Sequence, residues 1–190
     1  MITLYEAALH DSSNIGTDTQ VNDLMQQITE LQNAESTAMT NPGCWRSQAK
    51  FKNINWLLSA ITSLVNEAIE YYRSKDPIFN EAFSSIDISQ LGIFYWTNVN
   101  EPLSRNVMHA HKTGIFSGVY YIQGTDTGDL RLINPANTLT DCNAYSPFTR
   151  DFYYTPQDRD LVLWPSWLPH EVETNNSNRQ RINIAYDIYI

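Results

Sequence analysis

The chain of 190 residues has little of several features that would place it in a familiar class of proteins. It contains two cysteines, Cys44 and Cys142, without CxxC spacing, which argues against a disulfide framework and against a zinc ribbon. No apolar run is long enough for a membrane-spanning helix. Only 12 Lys and Arg residues accompany 21 Asp and Glu residues, and the resulting net charge of −9 disfavours binding to nucleic-acid phosphates or to an anionic membrane.

The first 13 residues contain Glu6 and Asp11 but no Lys or Arg, so they lack the basic start of a secretory signal. We therefore expect a soluble, cytoplasmic protein with no nucleic-acid or membrane partner, although a small local basic patch would still allow a demethylase. The length is typical of one domain, 1–190, and a chain of this size buries about 70% of its unfolded surface, enough to fold without a disulfide or a metal. Charged residues make up 17% and aromatic residues 12%, which favours an all-β or mixed architecture.

Two helical patterns lie in the N-terminal part of the chain, which we expect to be mostly helical over residues 1–75. The first spans residues 18–33, where Thr17 or Asp18 can cap the helix, and the second spans residues 53–74. The second pattern ends just before Pro77, because the residue that precedes a proline resists the helical conformation. The apolar residues of both patterns recur on one face, which we interpret as a surface packed against a core.

From residue 90 to residue 190 the sequence reads as short strands separated by turn residues. The expected strands span 91–99, 115–123, 129–133, 152–154, 160–164, 170–173 and 181–190. Such closely spaced strands are typical of a sandwich or barrel of the jelly-roll kind. We expect the two helices to buttress one outer face of the sheet, and residues 1–8 are a candidate for an additional strand.

Three of the four histidines lie in the strand-rich half of the chain: His109, His111 and His170. Because side chains alternate along an extended strand, His109 and His111 point to the same face, about 6–7 Å apart. His170 opens another expected strand, so that three imidazoles from two strands can bind one metal ion and leave positions open for substrate and oxygen. A His-x-His pair alone is a weak signal, and surface or hydrogen-bonded core histidines are the alternative.

Arg181 begins the last expected strand, along which polar and branched apolar residues alternate. The alternation places Arg181 and Asn183 on one face and the isoleucines on the other. A guanidinium inside a β-sandwich costs free energy unless it meets an anion. Two explanations stay open: a salt bridge with a buried Asp or Glu, or a bidentate clamp for a ligand carboxylate, assisted by the Asn183 amide. Arg179 lies on the same face and is the alternative clamp.

Several segments of the chain carry a family resemblance through their order and spacing. They are Asn106-x-x-His109-x-His111, FSGVYYI at 116–122, LWPSWLPH at 163–170 and RINIAY at 181–186, with NPGCWRS at 41–47 and Trp96-x-Asn98. Together they resemble the Fe(II)/2-oxoglutarate oxygenases of bacteria and marine phages, and more distantly the prolyl-hydroxylase-like branch of that superfamily. The resemblance covers about residues 41–190.

The resemblance implies a fold, two cofactors and a set of binding residues. The fold is a double-stranded β-helix, which is jelly-roll and cupin-like, over residues 90–190. Fe(II) is the metal, and His109 and His170 match the first and last ligands of the family pattern. The cosubstrate is 2-oxoglutarate, and Arg181 takes the position that binds its distal carboxylate. Asn183 stands where many relatives have a serine, and Tyr121 matches a tyrosine that can contact the same carboxylate.

One position departs from the family pattern, in which Asp or Glu follows the first histidine two residues later. This chain has His111 there. We expect His111 to be the third ligand, so that three neutral imidazoles hold the iron and one compensating negative charge is missing. The alternative is that His111 stays outside the ligand set and a carboxylate elsewhere, such as Asp129, supplies the charge.

The resemblance thus implies an iron- and 2-oxoglutarate-dependent dioxygenase that hydroxylates a small molecule or peptide and releases succinate and CO2. Two rival functions stay open: a three-histidine iron dioxygenase that uses no 2-oxoglutarate, and a non-catalytic jelly roll that binds a ligand. The sequence leaves the oligomeric state open. Four aromatic residues are candidates for lining the cavity, although core packing is the simpler explanation for each: Phe94, Trp96, Trp164 and Trp167.

Overall fold

The computed structural model describes residues 7–32, 43–75, 77–84, 87, 90–135 and 150–189. Within these ranges the helices are α1 (Asp18–Leu31), α2 (Asn55–Lys75) and α3 (Pro77–Ser84). The strands are β1 (His10–Ser12), β2 (Cys44–Ser47), β3 (Gly92–Asn100), β4 (Asn106–His109), β5 (Phe116–Gln123), β6 (Leu130–Leu132), β7 (Phe152–Tyr154), β8 (Leu161–Pro165), β9 (His170–Val172) and β10 (Arg181–Tyr189). Most of the strand expected at residues 1–8, and Cys142, lie outside the described residues.

Helix α1 begins where its capping pattern predicts. The Thr17 side chain accepts a hydrogen bond from the Gln20 N–H, and the Gln20 side chain accepts one from the Thr17 N–H at 2.8 Å. Helices α1 and α2 both bury their apolar faces, as expected. The buried residues are Val21, Leu24 and Ile28 in α1 and Leu57, Ile61, Leu64, Val65, Ala68, Ile69 and Tyr72 in α2. Among the described helices, none combines the length and the apolarity that a bilayer-spanning segment requires.

Helix α3 is a feature that the sequence patterns do not predict. Pro77, which marks the end of the second helical pattern, is also the first residue of α3. Proline fits this position because the first N–H of a helix has no partner inside the helix. The same residue therefore separates two consecutive helices, and Phe83 packs α3 against the core.

The strands form two antiparallel sheets, as expected for a jelly roll. The larger sheet has the order β1-β8-β5-β10-β3-β2, and the smaller has the order β4-β9-β6-β7. The seven expected strands all form, with ends within one residue of the expected positions. The additional strands β1, β2 and β4 have three or four residues and are not among the seven expected strands.

Strand β10 lies inside the larger sheet, between β5 and β3, and has two different faces. Ile182, Ile184 and other apolar residues of β10 pack with the helices in the main core. Arg181, Asn183 and Asp187 face the opposite way, into a cavity. The alternation along β10 is therefore confirmed, and each buried isoleucine stabilises the fold by about 1.5–3 kcal/mol.

Candidate metal centre and cosubstrate pocket

Three imidazoles meet where the smaller sheet approaches the turn between β8 and β9. His109 ends β4 and His170 begins β9, and the two residues are direct partners across the antiparallel pair. His111 lies two residues beyond the end of β4, and its N–H donates to the Ser166 carbonyl at 2.9 Å. One ligand atom from each histidine lies within 4.8 Å of the others. The three rings therefore converge, although His111 lies just beyond β4 and not on the extended strand that the i, i+2 spacing predicts.

Two of these imidazoles are oriented by backbone carbonyls. His109 Nδ1 lies 2.7 Å from the Val107 carbonyl, and His170 Nδ1 lies 3.0 Å from the Leu168 carbonyl. A carbonyl only accepts hydrogen bonds, so each Nδ1 carries the proton and each Nε2 keeps its lone pair. Metal-bound histidines ordinarily have this arrangement, with one ring nitrogen on the metal and the other donating to an oxygen.

The third imidazole is oriented by a carboxylate. His111 Nδ1 lies 2.5 Å from Asp187 Oδ1, and the Ser117 hydroxyl donates to the same oxygen at 2.6 Å. Asp187 is a site residue that the sequence analysis missed. The signal was available, because Asp187 follows Arg181 by six residues on the same alternating strand and therefore shares its face.

Burial keeps the imidazoles of the smaller sheet neutral. It lowers the pKa of His170 to about 3, with the neighbouring His109 and His111 adding to the effect, and it also lowers the pKa of His109. A metal-binding imidazole must be deprotonated at the ligating nitrogen, so these shifts favour coordination at neutral pH. Neutral imidazole nitrogens are suitable ligands for iron, and the donor set therefore fits the Fe(II) that the sequence analysis expects.

Asp129 is the alternative to His111 as a metal ligand, and Arg179 is the alternative to Arg181 as the carboxylate clamp. Neither residue is part of the described cavity wall. The backbone carbonyl of Asp129 accepts a hydrogen bond from Glu173, and the described metal-ligand cluster contains no carboxylate. Arg179 is partly exposed and pairs with Asp158, at 3.1 Å between Nη2 and Oδ2. The geometry thus favours His111 over Asp129 and Arg181 over Arg179.

Arg181 is fully buried, and its bonding partners are neutral. Its Nη1 donates to the Thr127 carbonyl at 2.8 Å, and its Nη2 donates to Asn106 Oδ1 at 3.3 Å. Within the described residues no carboxylate forms an ion pair with Arg181, and its Nε has no hydrogen-bond partner. Burial lowers the pKa of Arg181, yet guanidinium groups stay charged in proteins. Among the described residues the salt-bridge explanation is therefore not observed.

Tyr121 and Asn183 lie beside this guanidinium on adjacent strands. They are partners in the register of β5 and β10, and both line the cavity. The Tyr121 hydroxyl is buried without a hydrogen-bond partner among the described residues, and burial raises the pKa of this phenol, so that it remains a donor. Asn183 Oδ1 accepts a hydrogen bond from Asn98 Nδ2 at 2.9 Å. The end of the cavity near Arg181 thus presents donors for an anion.

The three imidazoles and Arg181 line one cavity of about 310 Å³. Phe94, Trp96 and Trp164 also line it, whereas Trp167 is not part of its described wall. The Phe94 and Trp96 rings lie 5.8 Å apart, and the Arg46 guanidinium lies 4.6 Å from the Trp96 ring centroid. The cavity therefore combines a metal-ligand cluster, an anion-binding group and an aromatic wall. Its size is within the usual range for sites that bind small molecules.

A family model with the description "Putative 2OG-Fe(II) oxygenase" matches residues 94–187, which contain the three histidines and Arg181. The chain belongs to this 2OG-Fe(II) oxygenase family. It is therefore an enzyme that depends on iron and 2-oxoglutarate, as the resemblance predicts. A comparison with the sequences of curated proteins gives no match for the oxygenase.

Solved structures share the fold of the oxygenase at low sequence identity. A prolyl-4-hydroxylase from Pseudomonas putida has 15% identity and a TM-score of 0.63, and the match covers 95% of this chain and 91% of that one. A prolyl hydroxylase from Trichoplax adhaerens, in complex with a hypoxia inducible factor peptide fragment, has 14% identity, coverages of 95% and 83%, and a TM-score of 0.63. HygX from Streptomyces hygroscopicus, with nickel, 2-oxoglutarate and hygromycin B bound, has 10% identity, coverages of 95% and 82%, and a TM-score of 0.54. The double-stranded β-helix fold is thereby confirmed.

Proposed function

We propose that the oxygenase holds Fe(II) through the Nε2 atoms of His109, His111 and His170, and 2-oxoglutarate in the same cavity. The observation that carries this proposal is the pairing of two incomplete sites in one cavity. The ligand nitrogens of three imidazoles converge within 4.8 Å of one another. In the same cavity the buried Arg181 guanidinium has no anionic partner among the described residues. A metal ion would complete the histidine cluster, and a carboxylate of 2-oxoglutarate would pair with Arg181.

Arg181 is the residue that binds the distal carboxylate of 2-oxoglutarate. Its Nε is available for a charge-assisted hydrogen bond, which is about twice as strong as a neutral one. The buried Tyr121 hydroxyl donates to the same carboxylate, and the Asn183 amide adjoins it. These donors are held before the ligand arrives, because Thr127 and Asn106 already fix the guanidinium.

The cavity wall orients the substrate and excludes water from the metal face. Fe(II) with 2-oxoglutarate and dioxygen supplies the oxidation, in which one oxygen atom enters the substrate and succinate and CO2 are released. Val119, Leu130 and Val172 line the cavity as apolar walls, and Phe94 is 44% exposed beside Trp96. An aromatic, half-open mouth fits a small molecule or a peptide side chain. The Trichoplax structure holds a peptide and the HygX structure holds hygromycin B, so structures of this fold bind molecules of both kinds.

Turnover without added substrate tests this function. With ascorbate as the reductant that takes the place of the substrate, the iron-loaded oxygenase should form succinate and CO2 from 2-oxoglutarate and oxygen, and His170→Ala should form none. In the absence of oxygen, the Ni(II)-loaded protein should bind 2-oxoglutarate in a calorimetric titration. An iron-loaded protein that neither binds 2-oxoglutarate nor forms succinate would overturn the proposal and favour the three-histidine dioxygenase that works without this cosubstrate.

A further inference from the structure

Asp187 is a buried carboxylate that the proposed chemistry does not use. Its side chain is held on β10, and its exposed fraction is 5%. Its Oδ1 lies 2.5 Å from His111 Nδ1 and 2.6 Å from the Ser117 hydroxyl, and its Oδ2 accepts a hydrogen bond from the Tyr189 hydroxyl at 3.3 Å. A carboxylate in such a buried position costs free energy unless its partners compensate for the lost water.

We infer that Asp187 is a positioning residue which orients His111 for the metal and supplies, through His111, the negative charge that the ligand set lacks. The inference rests on the proposed metal site. It concerns only the residue behind one of the three ligands.

The three histidines differ in what holds their Nδ1 atoms. His109 and His170 donate to neutral backbone carbonyls, whereas His111 donates to an anion. The anion therefore stands behind the one histidine that occupies the acidic position of the family pattern. A carboxylate hydrogen-bonded to a ligating imidazole fixes the ring and makes it a more basic ligand. A ligating Asp or Glu would bind the metal directly with its negative charge. Here the negative charge of Asp187 lies one imidazole ring farther from the metal position, behind His111.

A network of serines holds both members of the pair. The Ser117 hydroxyl lies 2.9 Å from the Ser166 hydroxyl, and the Ser166 carbonyl accepts the His111 N–H at 2.9 Å. Ser117 belongs to β5 and Asp187 to β10, and the two residues are partners in the sheet register. The carboxylate and the backbone of His111 are therefore fixed by the same corner of the larger sheet, which gives the ring little freedom to turn.

Asp187→Asn tests the inference, because an asparagine oxygen can still accept the Nδ1 proton while the charge is lost. Co(II) binding by the full chain, measured by calorimetry without 2-oxoglutarate, should weaken about 10- to 100-fold. The visible absorption spectrum of bound Co(II) should also change. The affinity of the Co(II)-saturated variant for 2-oxoglutarate should not fall, because removing a negative charge near the metal does not repel an anion. A merely structural defect in the cavity would weaken the binding of both Co(II) and 2-oxoglutarate.

Asp160→Asn is the matched control. Asp160 is a buried carboxylate that accepts hydrogen bonds from Tyr154 and Gln157 and does not line the described cavity, so its replacement should leave Co(II) affinity unchanged. The inference is overturned if a folded Asp187→Asn protein has the Co(II) affinity and spectrum of the wild type. It is also overturned if the variant binds both Co(II) and 2-oxoglutarate more weakly. His170→Ala in the same titration separates the proposals. If His170→Ala abolishes Co(II) binding while Asp187→Asn binds Co(II) as tightly as the wild type, only the role of Asp187 is wrong. If the wild type itself binds no metal, the proposed function fails.

A second comparison applies if Asp187→Asn does not fold. Asp187→Glu and Asp187→Gln introduce side chains of the same size that differ in charge. The inference expects the glutamate variant to bind Co(II) at least about tenfold more tightly than the glutamine variant. Equal affinities of these two variants overturn it.

Discussion

His109 and His170 face each other directly across β4 and β9, with ring centroids 4.4 Å apart. This register brings together two residues that are far apart in the chain, and it sets the distance between two of the three imidazoles. The third, His111, adds its ring at 5.2 Å from His109 and 5.3 Å from His170.

Replacing His170 by alanine should remove metal binding and keep the fold. His170 lies at the start of β9 and contacts the Trp164 ring at 4.9 Å, so a folded variant retains the rest of the core but loses one of three nitrogen ligands. Metal content after incubation with Fe(II) under anaerobic conditions is the measurement. His10→Ala is the control, because His10 contacts Tyr71 and Tyr72 and lies apart from the described cluster. Normal iron content in a folded His170→Ala protein would remove His170 from the ligand set.

Replacing Arg181 by glutamine should weaken the binding of 2-oxoglutarate and leave metal binding unchanged. The loss of a buried charge-assisted pair costs about 2–5 kcal/mol, which corresponds to a loss in affinity of about 30-fold or more. Calorimetric titration of 2-oxoglutarate into the Ni(II)-loaded protein gives this number. Arg179→Ala is the control, because Arg179 pairs with Asp158 at the surface. The same affinity in Arg181→Gln and wild type would place the carboxylate elsewhere.

Replacing Tyr121 by phenylalanine should change stability and cosubstrate binding in different ways. The Tyr121 hydroxyl is buried without a described partner, so its removal should not lower the free energy of unfolding of the ligand-free protein. The same change should weaken the binding of 2-oxoglutarate by about 1.5–3 kcal/mol, which is the usual contribution of a hydrogen bond to a charged group. Urea unfolding and calorimetry measure the two effects.

Tyr186→Phe is the matched control for Tyr121. The Tyr186 hydroxyl donates to the Val162 carbonyl at 2.8 Å, so its loss should cost about 1 kcal/mol of stability and leave 2-oxoglutarate affinity unchanged. A Tyr121→Phe protein that is clearly less stable and binds 2-oxoglutarate normally would show that the hydroxyl serves the fold and not the ligand.

Asp158 should contribute to stability only above strongly acidic pH. Burial raises the pKa of Asp158, but hydrogen bonds from the Thr125 and Gly124 N–H groups and from Arg179 outweigh this and lower it below its usual value. A lowered pKa in the folded state stabilises the protein above the unfolded-state pKa, and this contribution disappears as the pH falls through the folded-state pKa. Asp158→Asn should therefore reduce the free energy of unfolding more at about pH 7 than at about pH 3.

Urea unfolding at the two pH values measures this difference. Asp126→Asn controls for the loss of one negative charge, because Asp126 lies in the turn whose Gly124 and Thr125 N–H groups donate to Asp158. An equal effect of Asp158→Asn at both pH values would contradict the prediction.

The strand pattern was predicted well because alternation is a local property. Strand β7 has the expected ends, and β10 presents Arg181 and Asn183 on the expected face. Helix α3 was missed because Pro77 reads equally as the end of one helix and the start of another. The roles of the three histidines, Arg181, Asn183 and Tyr121 remain predictions, as does the single domain with a helical part followed by a β part.

The sequence alone determined which chemical groups are present and on which face of the long strand β10 they lie. It supplied the His-x-His pair, the later histidine, and an arginine heading an alternating strand, because these features depend on neighbours within a few residues. Only the tertiary structure decided that His111 donates to Asp187, and that Arg181 has no described carboxylate beside it. Such contacts join strands that are distant in the chain, and their geometry depends on register and on turns, which local periodicity does not encode.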